Sequence, residues 1–522
     1  MSTRRPNVVF IMTDQQKATA IDLYGGPVKT PNLARIVAEG ILYEQCYTPH
    51  PLCVPARVSF WTGRWPHSHG ARTNEIPMPR SETHLAQLLH GAGYALGHFG
   101  KNHCFVEEDF ERYFSETYFV GHGDRGGPGA TMVRSQVQAR SPQAGTPGIS
   151  DHWGFRRPVA RMKPEPREES ATYQITENAC RFLETQHAAE PDRPVCVWVS
   201  IPDPHEPYQV PEPYAALYPP DEIELPPWKE GEFAEDSKPE RQRVYRHFLN
   251  WDELSENDAR LAMSIYFGMV AFIDARVGHV LDTLERLGMR EDTIVVFCSD
   301  HGDYMGEHHM LIKSNAFYDC LTRVPLLVSY PRGVAARGER RSEFVSLIDV
   351  MPTVLSLAGL SEITPAAVQG QALPGVPGSP PARPAAYSEY GCGGPAISMG
   401  DAQRLFPRGS LRPLHPLLRE REAQGHGKMA RTERWKYTYD VLDESDEELY
   451  DLAQDPWELN NLARSEQAEH VAARAEMRRL LAEWMLRTEN TRPVPLYFEP
   501  FWEGTPPREV ALGQDGGPLL AR

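Results

Sequence analysis

Four short apolar runs, each ending in polar residues of unusual type, constrain this chain more than any other feature. Val8-Val9-Phe10-Ile11-Met12 leads to Asp14, and Tyr94-Ala95-Leu96-Gly97-His98-Phe99 leads to Lys101 and His103. Val195-Cys196-Val197-Trp198-Val199-Ser200-Ile201 leads to Asp203 and His205, while Thr293-Ile294-Val295-Val296-Phe297 leads to Asp300 and His301. Such runs alternate with amphipathic helical stretches, the pattern of an α/β domain with a mainly parallel sheet. Open α/β sheets bind ligands at the carboxyl ends of their strands. The four polar clusters are therefore expected to meet at one site, however far apart they lie in the chain.

Size and charge narrow the function. A chain of 522 residues exceeds one compact core and predicts a large catalytic domain with a smaller companion. Its net charge of −17 argues against nucleic acid or an anionic membrane as partner, and an anionic substrate would need a local positive pocket. The 8 cysteines show neither close pairing nor metal-type spacing, which fits a reducing compartment. The opening Met1-Ser2-Thr3-Arg4-Arg5-Pro6 runs straight into the first apolar run without a cleavable apolar segment, so a cytoplasmic location is expected. No stretch reads as the roughly 20 apolar residues of a membrane helix.

The stretch from Asn257 to Leu287 carries Leu261, Ile265, Val270, Ile273, Val277, Val280 and Leu284 on one helical face and should pack on the sheet. Residues 121–150, rich in Gly, Pro and Ser, read as an excursion or a loop over the site. The Pro/Gly-rich segment 371–384 reads as a linker or exposed loop. It divides a catalytic domain, 1–380, from a C-terminal α+β subdomain, 381–522. There Arg434–Tyr439 and Glu448–Leu452 suggest strands of a small antiparallel sheet, and Ser465 to Leu486 an amphipathic terminal helix.

The most specific motif is Cys53-Val54-Pro55-Ala56-Arg57 followed by Thr62-Gly63-Arg64. Read structurally, it is a buried cysteine opening a short helix, with Pro55 near the start and Gly63 as C-terminal cap. Read chemically, it resembles the signature of the formylglycine-dependent (type I) sulfatases, in which Cys-x-Pro-x-Arg is recognised by a modifying enzyme and oxidised to formylglycine. The resemblance extends through Asn7–Gln15, Gly100-Lys101-Asn102-His103, Pro204-His205-Glu206-Pro207, Ser299-Asp300-His301-Gly302, Gly306-Glu307-His308, Lys313, Arg323-Val324-Pro325 and the C-terminal Asp455–Leu462. It implies membership of the alkaline phosphatase superfamily, with a large mixed, mostly parallel sheet sandwiched by helices.

What the resemblance implies for the site is specific. Asp14, Gln15, Asp300, His301 and the modified Cys53 would hold one divalent metal ion, calcium first, with manganese or magnesium as alternatives. Hydrated formylglycine at position 53 would attack sulfur to give a covalent sulfo-enzyme. Arg57 and Lys101 would stabilise the hydrate and the oxygens around the metal, Lys313 would bind sulfate, and His205 would assist the leaving oxygen. His103 would remove the proton that lets sulfate depart. Asn74 would be a polar substrate contact or a turn residue, Asp303 a turn or supporting residue, and His98 and Cys104 packing residues. Many sulfatases have Asp-Asp and Asp-Asn where this chain has Asp14-Gln15 and Asp300-His301, and in having His301 there it resembles choline sulfatases and phosphonate monoester hydrolases. A phosphonate monoester or phosphodiester hydrolase is thus the enzymatic alternative, and a non-catalytic sulfate-ester-binding protein the alternative of another class. The expected partners are a small sulfate ester and the cysteine-modifying enzyme, with a homo-oligomer compatible. Trp153, Trp228 and Tyr208 are candidate pocket aromatics or packing residues.

Overall fold

The computed structural model describes residues 5–120, 166–234, 237–334, 336–405 and 422–489, with two-residue strands at Tyr497–Phe498 and Arg508–Glu509. Segment 121–150 and Trp153 lie outside the described residues.

One sheet holds eight strands: β1 (Asn7–Thr13), β2 (Gly40–Tyr47), β3 (Ala95–Gly100), β4 (Glu116–Phe119), β5 (Val195–Ile201), β6 (Thr293–Ser299), β7 (Leu326–Ser329) and β8 (Glu339–Ser346). Their spatial order is β4-β3-β5-β1-β6-β7-β2-β8. β7 runs antiparallel to both its neighbours and every other pairing is parallel. The continuous apolar runs follow from burial on both faces. In β1, Val9 and Ile11 enter one core while Val8, Phe10 and Met12 enter the other. The Ala171–Ala189 and Glu256–Arg286 helices cover the first face; the Cys53–Thr62 and Val350–Leu357 helices cover the second.

The Glu256–Arg286 helix starts at Ser255, whose hydroxyl accepts the Asp258 N–H at 3.1 Å, an N-cap. Contrary to the expectation from sequence, it is long and apolar enough to cross a membrane, but 83% of its most apolar window is buried inside the protein. Apolar character on all sides here reflects a core helix packed against the sheet on one side and surface segments on the other.

A second sheet is antiparallel, with β9 (Ala386–Tyr390), β10 (Gly427–Arg431), β11 (Trp435–Asp440) and β12 (Asp443–Asp451) in the order β12-β11-β10-β9. The Ala468–Thr488 helix packs on it, Trp484 stacking on Tyr387 with centroids 4.9 Å apart. Segment 371–384 is the exposed loop expected only in its second half, where Pro377, Gly378, Pro380, Pro381, Ala382 and Pro384 are exposed; its first half is held against the core. Leu373 and Val376 are buried, and Asp349 accepts both the Gln371 N–H at 2.9 Å and an Arg383 N–H at 2.6 Å. All eight cysteines are unpaired.

Candidate active site

Register brings the strand ends together: Thr13 of β1 lies opposite Ile201 of β5 and Ser299 of β6, and Gly100 of β3 opposite Ser200. Asp14, Lys101 and Asp300 follow these ends directly, and the Cys53–Thr62 helix brings its first residue to the same place. All ten residues of that helix are buried. It ends at Gly63 with φ 64°, where a β-carbon would meet Val368 at 2.9 Å, so the cap position requires glycine on both conformational and steric grounds. The structural reading of the motif, a helix opened by a buried cysteine, is realised together with the clustering that the chemical reading needs.

Arg57, one turn below Cys53, organises the floor. Its Nε donates to Asp300 Oδ2 at 2.8 Å, one terminal nitrogen to Asp14 Oδ2 at 2.9 Å, and the other to Ser200 Oγ at 2.7 Å. Lys101 donates to the same Asp14 oxygen. These four charged side chains are completely buried, an arrangement tolerable only because each charge meets an opposite one. Attraction to Asp300 and Asp14 outweighs burial and holds the Arg57 guanidinium above its ordinary range.

The remaining donor atoms converge above this floor. Cys53 Sγ lies 3.2 Å from His301 Nε2 and 3.7 Å from Asp14 Oδ1. His301 Nε2 stands 3.8 Å from both Asp14 Oδ1 and Asp300 Oδ1. One ligand atom from each of Asp14, Cys53, Asp300 and His301 falls within 4.8 Å of the others. His301 Nδ1 donates to the Gly302 carbonyl at 2.9 Å, which leaves the Nε2 lone pair for the cluster, the usual support for a metal-ligating imidazole. Two carboxylates and a neutral imidazole suit a divalent cation of hard or borderline character. Burial and the nearby Asp14 carboxylate push the Cys53 thiol up to about 11 despite Lys101 and Lys313, so a bare thiolate is disfavoured.

On the open side, Gln15 is a hub. Its side-chain oxygen accepts from Lys313 Nζ at 2.7 Å, and its amide nitrogen donates to Asp303 Oδ2 at 2.7 Å and Glu206 Oε2 at 3.0 Å. Lys313 Nζ also lies 2.9 Å from His205 Nε2, while His205 Nδ1 faces the Glu206 carbonyl at 2.7 Å. The carbonyl fixes the proton on Nδ1, so Nε2 receives the ammonium hydrogen. Burial and then the Lys313 charge hold the His205 imidazole well below its ordinary range. Burial disfavours the Lys313 ammonium, but Cys53, Glu206 and Asp14 more than compensate and raise it. His103 adopts φ 57° and is likewise depressed, by burial first and then by Lys101 and Arg57.

Asn74 sits at the helix start: its Oδ1 accepts the Val54 N–H at 3.1 Å. Asp303 closes a turn by accepting Met305 N–H at 2.7 Å and at the same time orients Gln15. His98 and Cys104 are fully buried. Tyr208 is buried with its hydroxyl on Asp303, and Trp228 is surface-exposed, stacked on His309. Sequence reasoning did not single out Ser200, Glu206 or Glu422 as partners. Glu206 lay within the Pro-His-Glu-Pro segment, where an acid next to a catalytic-type histidine was the available signal. A second group, Glu307, His308 and Cys320, is engaged otherwise: Lys17 pairs with Glu307, and His308 Nδ1 lies 2.5 Å from Glu232.

Buried, charge-compensated donors gathered at the ends of parallel strands make a site fit for a divalent cation and an anionic ligand. The Sulfatase family model matches residues 6–360, and the chain belongs to that family, hydrolases acting on sulfuric esters. It is 30% identical over 479 residues to the choline-sulfatase of Rhizobium meliloti (strain 1021), covering 89% of this chain and 84% of that one. It is 31% identical over 369 residues to the uncharacterized sulfatase YidJ of Escherichia coli (strain K12), covering 69% of each. Among solved structures, the phosphonate monoester hydrolase of Agrobacterium radiobacter superposes with a TM-score of 0.71 over 99% of this chain and 100% of that one, at 24% identity, a likeness of fold.

Proposed function

We propose that the protein hydrolyses sulfate monoesters with formylglycine derived from Cys53 as nucleophile and one divalent cation held by Asp14, Asp300, His301 and position 53. The observation that carries this reading is the convergence of Cys53, within its modification motif, on two carboxylates and an imidazole whose ligand atoms lie within 4.8 Å of one another. The cation would supply positive charge to the sulfate oxygens and to the nucleophile. Formylglycine would supply, as its hydrate, one hydroxyl to attack sulfur and a second whose deprotonation frees the sulfate.

The chain's own residues account for the rest. Arg57 pairs with both carboxylates and Lys101 with Asp14, which balances their charge and orients them. Lys313, held by Gln15, presents an ammonium to the sulfate oxygens. The Lys313–His205 contact, 2.9 Å long, offers a proton for a leaving alkoxide: it starts on the Lys313 ammonium, is taken by His205 Nε2 and passes from there to the alkoxide oxygen, which leaves Lys313 as the neutral amine and the alcohol free, while the Glu206 carbonyl keeps the ring oriented. His103, kept neutral, is suited to take the proton from the second hydroxyl. Gln15, whose oxygen faces Lys313, completes the polar wall and is a candidate further ligand.

Mass spectrometry of the Cys53 peptide, metal analysis and kcat/KM for a sulfate monoester against a phosphonate monoester with the same leaving group test the reading. An intact thiol in fully active protein, or activity without metal, refutes it. A clear preference for the phosphonate promotes the second reading, with which His301 is equally compatible. Lys101 and His103 favour sulfate. Calcium is the first cation to test, manganese the second because of the imidazole. A cytoplasmic location is also proposed, supported by the eight unpaired cysteines, and cell fractionation tests it.

A further inference from the structure

The Cys53–Thr62 helix begins without a cap of its own. Leu52 fills the capping position with an apolar side chain, and no side-chain bond is made there. The first N–H groups of a helix have no partner within it, and here the whole helix is buried, so water is a poor substitute. One acceptor arrives from a distant turn: Asn74 Oδ1 takes the Val54 N–H at 3.1 Å, on the residue next to Cys53. Asn74 is clamped in its turn. Glu422 Oε1 accepts from Asn74 Nδ2 at 3.0 Å, and Glu422 Oε2 accepts the Asn74 backbone N–H at 3.2 Å.

The chemistry of the clamp sets a direction. A carboxylate only accepts hydrogen bonds, whereas a primary amide has a donating and an accepting end. Two donors of Asn74 are therefore drawn to Glu422, and the amide carbonyl is turned toward Val54. We propose that Glu422 is a positioning residue of the active site: acting through Asn74, it fixes the first turn of the helix that carries residue 53. The inference rests on the reading of residue 53 as the origin of the nucleophile. It assigns Asn74 a role in geometry, where resemblance alone suggested a contact to substrate. Misplacement of a reacting group by an ångström costs up to about 100-fold in rate, so a loosened first turn should lower turnover and leave substrate affinity nearly intact.

The experiment compares the full-length protein with its Glu422→Ala, Glu422→Gln and Asn74→Ala variants, with formylglycine content measured by mass spectrometry. Two readouts are taken: kcat and KM for 4-nitrophenyl sulfate per formylglycine-bearing chain, and amide hydrogen exchange of the peptide containing Val54. Glu422→Ala is expected to lower kcat about tenfold with KM within about twofold, a fraction of the range expected for misplacement, and to speed exchange at Val54. Glu422→Gln, nearly isosteric and retaining one acceptor, should fall between Glu422→Ala and the parent. Asn74→Ala should match Glu422→Ala, and the double variant should be no worse than either. Unchanged kcat and unchanged exchange in Glu422→Ala and Glu422→Gln overturn the proposal, as does a raised KM at constant kcat, the mark of a substrate contact. If the parent protein hydrolyses no sulfate ester, the sulfatase reading fails, while exchange at Val54 still decides whether Glu422 acts on the helix.

Discussion

The two walls of the active site are built in different ways. Asp14, Arg57, Lys101 and Asp300 are completely excluded from solvent and bonded to one another, and three of the four directly follow the ends of parallel strands, β1, β3 and β6, of one sheet. The facing wall of Gln15, His103, Glu206 and Lys313 comes from loops. Its backbone enters the left-handed region at Gln15, His103 and Ile312, with φ 66°, 57° and 56°, conformations that persist only where surrounding contacts enforce them. Strand register thus fixes the charge pattern around Cys53 and the candidate metal ligands. The loop wall is held by side-chain hydrogen bonds between loops, so its contacts can change without disturbing the sheet.

The largest expected effect lies on the buried wall. Cys53→Ala should reduce turnover on the order of 10⁴- to 10⁶-fold, as loss of a nucleophile does, with thermal unfolding nearly unchanged because a small buried side chain is replaced by one of similar size. Appreciable activity in that variant would break the assignment of position 53.

Arg57→Ala should unfold the same wall. It takes the guanidinium from Asp300 and leaves Asp14 with Lys101 alone, and removal of one partner from a buried ion pair costs about 3–5 kcal/mol. Denaturant melts of the metal-free protein measure this. A loss under about 1 kcal/mol, the worth of an exposed pair, would show that the wall is wetter than its burial indicates.

On the loop wall, His205→Ala should slow an alkyl sulfate by on the order of 10²-fold or more while affecting 4-nitrophenyl sulfate far less, because nitrophenolate needs no proton to leave. Equal losses on both substrates would move the proton-donor role to Lys313 alone.

The smallest effect separates core from site by pH. His98, under the buried wall, is held down to about 3 by burial. The unfolded chain protonates it near its ordinary value of about 6.5, so as pH falls from there toward about 3 the unfolded state gains protons and stability is lost. His98→Phe should remove up to about 1.4 kcal/mol per pH unit of that slope, and an identical slope in parent and variant would refute the burial argument.

The legible part of the molecule was the part that repeats along the chain. Runs such as Val8–Met12 and Thr293–Phe297 announce strands because both their faces are buried, and the residues just after them announce the site because parallel strands end on one side. Glu422, Glu206 and Ser200 left no such trace. Each acts through hydrogen bonds to residues far away in sequence, as Glu422 does with Asn74 and Ser200 with Arg57, and no local periodicity encodes a partner at that range. The Glu256–Arg286 helix misled in a different way: its apolar residues were read as one face, whereas the surface segments that cover its other side also demand apolar contacts.

The central place of β1 bears on how the protein is made. That strand is made well before its two partners, β5 and β6. At about 5–20 residues per second, roughly 10–40 s of synthesis separate β1 from β5. Throughout that interval an apolar heptapeptide has nothing to pair with and invites a chaperone. Residue 53, buried in the finished protein, precedes the start of β5 by 142 residues, so roughly 7–28 s of synthesis pass before the sheet that buries it can close.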